Sequence, residues 1–144
     1  MAPLRSFVVS GTTSAKPDEI WKLISDGMTW PAWSPIGSCT REGLDVLGNE
    51  QVGTFRTFKT GFVASYEEVT AIEVERKFTY SLRKGMPLLD HEASIELLEQ
   101  GDKTLVTWSE TFRPKIPMTG AFYEWFLRSF ITKCLNGLLK AASR

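Results

Sequence analysis

The stretch Met118 to Ala142, MTGAFYEWFLRSFITKCLNGLLKAA, decides the fold. It holds the longest helical pattern in the chain, about 25 residues and so roughly 36 Å. Its apolar positions include Phe122, Trp125, Phe126, Phe130, Ile131, Leu135, Leu138 and Leu139, a broad stripe rather than a narrow seam. Such breadth suits a helix lying in the concavity of a sheet. Arg128, Lys133 and Lys140 fall where they can reach water. Pro114 and Pro117 stand just ahead and end whatever regular structure precedes them.

What precedes reads as a meander. Between Ile36 and Arg113, runs of strand character are separated by turn signals: Ser38 to Val46, Gln51 to Thr60, Phe62 to Glu73, Lys77 to Lys84, Leu89 to Leu98 and Lys103 to Arg113. Gly48-Asn49, Gly61, Gly85-Met86-Pro87 and Gln100-Gly101-Asp102 punctuate them. Strands this close in sequence pair antiparallel, because parallel pairs need long crossovers. Further back, Leu4 to Thr13 reads as a first strand. Ser14 is the expected N-cap of a helix with Pro17 in its first turn, ended by Asp26-Gly27 with the glycine left-handed. Trp30-Pro31-Ala32-Trp33-Ser34-Pro35 has room only for a short helical turn. The whole predicts one α+β domain over residues 1–144. A curved antiparallel sheet of about six to seven strands wraps the long C-terminal helix, with two short helices after the first strand.

Composition narrows the function. The chain has 144 residues, 42% apolar and 24% charged, an ordinary globular balance. Seventeen Lys+Arg offset seventeen Asp+Glu, so no basic field exists to gather nucleic acid. Cys39 and Cys134 form no C-x-x-C pair; a single disulfide is one reading, and two reduced, partly buried thiols of a cytosolic protein is the expected one. Met1 to Val9 lacks the apolar core of a secretory leader, and no apolar run reaches the roughly 18 residues of a membrane span. A cytoplasmic protein is the expectation. No phosphate loop, dinucleotide fingerprint or nucleophile elbow occurs, and one histidine rules out a multi-histidine metal site, so neither metal nor cofactor is called for. Aromatic residues are in excess: five Trp, nine Phe and three Tyr. They either fill a core or wall a cavity for an apolar ligand.

Order and motifs together resemble a known family. Ile20-Trp21-Lys22-Leu23-Ile24-Ser25-Asp26, the Trp30 to Pro35 segment, Val52-Gly53-Thr54 and Leu105-Val106-Thr107-Trp108 look like the START-like, or Bet v 1-like (SRPBCC), superfamily. More narrowly they resemble its polyketide cyclase/dehydrase and lipid-transport family. The resemblance spans essentially the whole chain and implies a helix-grip fold. It also implies an apolar small molecule, such as a lipid, steroid, polyketide or quinone, held between helix and sheet. Some members close polyketide rings, and fold alone does not decide chemistry.

Alternation selects the residues to test. His91, Ala93, Ile95 and Leu97 share one face, placing the single histidine, a group that titrates near neutrality, at a pocket rim. Thr104, Val106, Trp108, Glu110 and Phe112 share another, which carries Glu110 inward with two rings. A buried carboxylate must be paired or protonated, so Glu110 is either a functional polar group in the cavity or the partner of an inward arginine, for which Arg56, on the face of Phe58, is the candidate; a bulge returning Glu110 to water is the alternative. The strand from Phe62 is ambiguous, since Val69 and Ala71 turn Glu67 inward whereas Tyr66 favours the opposite face. Phe78, Tyr80 and Leu82 share an inward face. Trp30 and Trp33 either gate the pocket or wedge the core, and the loop at Met86 is a candidate lid. The expected ligand contacts are Trp30, Trp33, Phe55, Arg56, Phe58, Glu67, Tyr80, Met86, Trp108, Phe112, Phe122 and Phe126, with His91 and Glu110 as candidate acid and base.

Three functions fit these residues. The first is binding of a hydrophobic small molecule. The second is a cofactor-independent cyclase or dehydratase using His91 or Glu110. The third is an interaction module, a homodimer included, built on the apolar groove.

Overall fold

The computed structural model describes residues 2–144; Met1, at the head of the stretch read for a leader, lies outside them. Strand β1 (Arg5–Thr13) leads to helix α1 (Pro17–Ile24), a 3-10 turn (Gly27–Thr29) and α2 (Trp30–Trp33). Then come β2 (Ser38–Glu42), β3 (Phe55–Thr60), β4 (Val63–Glu73), β5 (Lys77–Lys84), β6 (Leu88–Gln100) and β7 (Lys103–Pro114), before α3 (Gly120–Ala142). The strands form one antiparallel sheet in the order β1-β7-β6-β5-β4-β3-β2. β1 therefore closes on β7, from Arg5↔Phe112 to Thr13↔Thr104. Together with the long C-terminal helix, this is the helix-grip fold. Among the described residues no helix is long and apolar enough to cross a membrane.

α3 buries Leu127, Ile131, Cys134, Leu135, Leu138 and Ala142, a stripe at helical spacing that packs on β1, β7, α1 and α2. Gly137 permits the closest approach, because a Cβ there would stand 1.7 Å from the Trp33 carbonyl oxygen. Lys133 and Lys140 are exposed as expected, but so are Phe122 (56%), Trp125 (63%) and Phe126 (36%). The helix has rings on more of its circumference than one sheet can cover. Its buried face is made of smaller Leu, Ile and Cys side chains, which let helix and sheet approach. Ring size is no guide to burial, for a folded surface is always partly apolar.

The N-terminal signals differ from expectation in two places. Lys16, not Ser14, is the N-cap of α1, with Pro17 at N1 and no side-chain capping bond. Gly27 is not left-handed; it is small because a Cβ there would lie 3.0–3.2 Å from Cys39, Arg56 and Glu50.

The ambiguity of β4 is a bulge. Pairing shifts between Val69↔Tyr80 and Ala71↔Thr79, leaving Thr70 extra. Glu67 and Val69 thus face inward before it and Ile72 after it, while Tyr66 stays exposed. One extra residue exchanges the faces of a strand. Both alternations are correct, each on its own side of Thr70.

Trp30 sits at the centre of the core. It stacks on Phe58 at 5.0 Å and meets the edges of Trp108 at 5.5 Å and Tyr80 at 6.4 Å. Its indole N–H donates to the Ile24 carbonyl and that of Trp33 to Thr29, so both tryptophans wedge α2 against the sheet.

Candidate functional site

The site begins with an irregularity in β6. Asp90 has a left-handed backbone (φ 53°) and occupies a bulge between Leu89↔Arg113 and Glu92↔Thr111. Beyond it His91 turns inward and is buried. Its Nδ1 accepts the Leu82 N–H at 2.8 Å, and its Nε2 lies 2.8 Å from Glu110 Oε1. An Nδ1 that accepts carries no proton, so the ring proton sits on Nε2 and is donated to Glu110. Burial pulls the imidazole down, while the hydrogen bond to Glu110 and the charges of Glu110, Glu67 and Glu92 push it up and prevail. Taking a second proton nevertheless requires His91 to give up the Leu82 bond.

Glu67, on β4 opposite Leu82, is the third ionisable group. Its Oε1 is shut from solvent and has no hydrogen-bond partner. Burial pushes its carboxyl from 4.5 to about 7, against the opposing pull of His91 and Arg56. Tyr80 completes the set: its hydroxyl oxygen accepts the Trp108 indole N–H at 3.2 Å. Burial, followed by the Glu110 and Glu67 charges, holds that phenol well above its ordinary range. Its own O–H remains a donor.

These four polar groups face a cavity of about 50 Å³ between the sheet and α3. Trp30, Ile36, Leu82, Met86, Phe130 and Ile131 supply much of its apolar wall. Its size suits one or two waters. Met86 and Phe130 are only partly buried, so they are the walls that can yield. A larger open groove, about 530 Å³, lies apart from it between α1 and the loop before β3. The charged groups there largely pair with one another. Among the described residues no cluster of three or more His, Cys, Asp or Glu could hold a metal.

Of the expected contacts, Trp30, Glu67, Tyr80, Met86, His91 and Glu110 line the cavity. Trp33, Phe58, Trp108 and Phe112 are core residues behind it. Phe55 is 43% exposed, because alternation along β3 turns it outward when Arg56 and Phe58 turn in. Phe122 and Phe126 are outside with the exposed face of α3.

Arg56 is not the partner of Glu110. Its guanidinium pairs with Glu50, both side chains being fully buried, and donates to the Ile24 carbonyl at 2.7 Å. It also lies over the rings of Phe78 at 4.5 Å and Trp30 at 5.0 Å. Glu50 accepts from Gly27 and Arg41 as well, and Arg41 reaches Asp26, so the network ties the end of α1 to β2 and β3. It leaves Arg41 Nε and Arg56 Nη1 without partners. Glu50 carries no local signal, because it falls between the Gly48-Asn49 turn and the strand expected from Gln51. The one available signal was an inward arginine in need of a carboxylate. Ile36, Ser65, Leu82, Leu127, Phe130 and Ile131 complete the wall without being among the expected contacts, since β4 reads both ways and the expected stripe of α3 takes in exposed rings while omitting Leu127.

No curated protein matches this sequence. Solved structures do. The protein XoxI from Bacillus cereus is 22% identical with a TM-score of 0.78, covering 98% of this chain and 95% of that one. A START superfamily protein from Mycobacterium smegmatis is 15% identical with a TM-score of 0.81, over 95% and 96%. Major latex-like protein 151 from Panax ginseng is 16% identical with a TM-score of 0.76, over 98% and 99%. At such identities these likenesses bear on fold alone. The family described as polyketide cyclase/dehydrase and lipid transport matches residues 5–143, and with nearly the full chain inside it, this protein belongs to that family.

Proposed function

We propose that the chain binds an apolar small molecule between α3 and the sheet and holds its polar end against Glu67, His91, Glu110 and Tyr80. The observation that carries this reading is Glu67, whose Oε1 is buried without a hydrogen-bond partner at the wall of a cavity. An unpaired buried polar oxygen costs about 1–3 kcal/mol, which a ligand hydroxyl would recover by donating to it, or a ligand carbonyl by accepting from the protonated acid. At about 50 Å³ the cavity must widen, with Met86 and Phe130 moving aside. Family membership supports the same reading.

Native mass spectrometry of the protein from its own cells tests it. We expect a bound species lost on unfolding and depleted in Glu67→Leu. An empty protein that also takes up no apolar probe would exclude the reading.

Acid–base catalysis is favoured by one further observation. Glu67, pushed to about 7, can give a proton near neutrality, and the Glu110 carboxylate beside it is oriented by His91. Carboxyl groups given separate roles by their surroundings suit proton transfer in a cyclisation or dehydration. A recovered ligand that the purified protein converts to a new mass would establish this second reading, and an unchanged ligand would leave the first.

A further inference from the structure

The pairing of β5 with β6 runs from Lys77↔Glu96 to Tyr80↔Ala93 and stops there. Beyond that point each strand keeps its other neighbour: β5 stays on β4 through Leu82↔Glu67 and Tyr66↔Lys84, and β6 stays on β7 at Glu92↔Thr111 and Leu88↔Pro114. The sheet therefore has a split. Among the described residues, the one hydrogen bond that bridges it is from Leu82 N–H to His91 Nδ1, a side chain standing where a backbone carbonyl would be.

The split separates two spaces that share Met86. Inside is the cavity, with Leu82, Met86 and His91 in its wall. Outside is an open groove of about 420 Å³ with Met86, Pro87 and Leu89 as apolar surface and Arg83, Lys84 and Lys115 as cations. Arg83 is paired with Glu68, but among the described residues Lys84 and Lys115 have no carboxylate partner.

We propose that this split is the entrance to the cavity, that His91 latches it, and that the molecule admitted is apolar with a terminal acidic group. Its apolar part passes Met86, and its acid rests on Lys84 and Lys115. The inference depends on the cavity being the ligand site. Parting the sheet here breaks one hydrogen bond, whereas elsewhere it breaks a ladder.

Protonation works the latch. A proton on Nδ1 turns an acceptor into a donor facing the Leu82 N–H, while Nε2–H stays on Glu110. The groups acting on the ring are Glu110 from β7, Glu67 from β4 and Glu92 on its own strand, and the Tyr80 ring of β5 stands 6.3 Å from it. The carboxylates favour the charged ring; burial and the Leu82 N–H oppose it. Acid therefore loosens the latch.

Two measurements test this. Hydrogen exchange followed by NMR needs no ligand: between pH 8 and pH 5 the protection of the Leu82 amide should fall about tenfold further than that of Tyr80. Equal falls would overturn the latch. Stopped-flow binding of 1-anilinonaphthalene-8-sulfonate, an aromatic probe with one sulfonate, tests the entrance. Its association rate should rise about tenfold over the same pH change and drop several-fold in Lys84→Glu with Lys115→Glu. In His91→Asn, which keeps an acceptor for Leu82 but takes no proton there, the extra loss of Leu82 protection should vanish and the rate should keep only the smaller pH dependence that Glu67 contributes. Should that variant not fold, the wild-type exchange data still decide the latch. A rate indifferent to pH and to the lysines would overturn the entrance. Binding unchanged by Ser65→Trp, which fills the cavity, would instead place the probe elsewhere and overturn both the entrance and the cavity reading, with the exchange result still judging the latch.

Discussion

Replacing Glu67 with glutamine removes a charge that the folded chain resists. Glu67 Oε1 is cut off from solvent and unpaired, and burial moves its carboxyl from 4.5 to about 7. At about 1.4 kcal/mol per pH unit, that displacement corresponds to about 3 kcal/mol. Between pH 4.5 and 7 the folded chain keeps the proton and the unfolded chain has lost it, so stability is fully present below 4.5 and declines as pH rises through 7. Glutamine resembles the protonated acid and does not titrate. Wild type and Glu67→Gln should therefore melt together near pH 4 and diverge above it. By pH 8.5 the variant should be more stable by about 3 kcal/mol, or about 6–12 °C for a domain of this size. Thermal unfolding followed by circular dichroism across this range provides the measurement. A gap that does not grow with pH, or a wild type more stable at pH 8.5, would refute the argument from burial.

Three further outcomes are expected. Glu50→Ala strands the Arg56 guanidinium in the core and should cost about 3–5 kcal/mol in urea unfolding. Removing both charges, as Glu50→Leu with Arg56→Leu, should restore most of that loss. Gly137→Ala brings a methyl onto the Trp33 carbonyl and should destabilise by at least about 1–3 kcal/mol, because backbone on both sides leaves little room to yield; Asn136→Ala, exposed beside it, should change the melt by less than about 0.5 kcal/mol. Burial pushes the Cys39 thiol to about 11, which leaves roughly one thiolate per thousand molecules at pH 8. A disulfide reagent should thus modify it slowly in the native protein and promptly in urea, and rapid native labelling would contradict the burial.

Much of the fold was legible because strands and helices are set by periodicity and punctuation, which are local. Pro114 and Pro117 marked the end of the sheet, Gly101 marked a hairpin, and alternation carried His91 and Glu110 inward, where both are buried. The inward turn of Arg56 was also readable. Its partner was not. Arg56 and Glu110 share an inner face, but three strands lie between β3 and β7, so the nearer carboxylate on the loop before β3 takes the arginine.

The sequence by itself determined the order of elements, the antiparallel meander, the long terminal helix and the inward faces of β5, β6 and β7, since each follows from side-chain period along one segment. Only the tertiary structure decided which face of α3 is buried, which acid meets which base, and where the sheet splits. The physical reason is that these depend on distances between segments far apart in the chain. A one-residue bulge at Thr70 exchanges the faces of β4, and no pattern within that segment shows where the exchange falls.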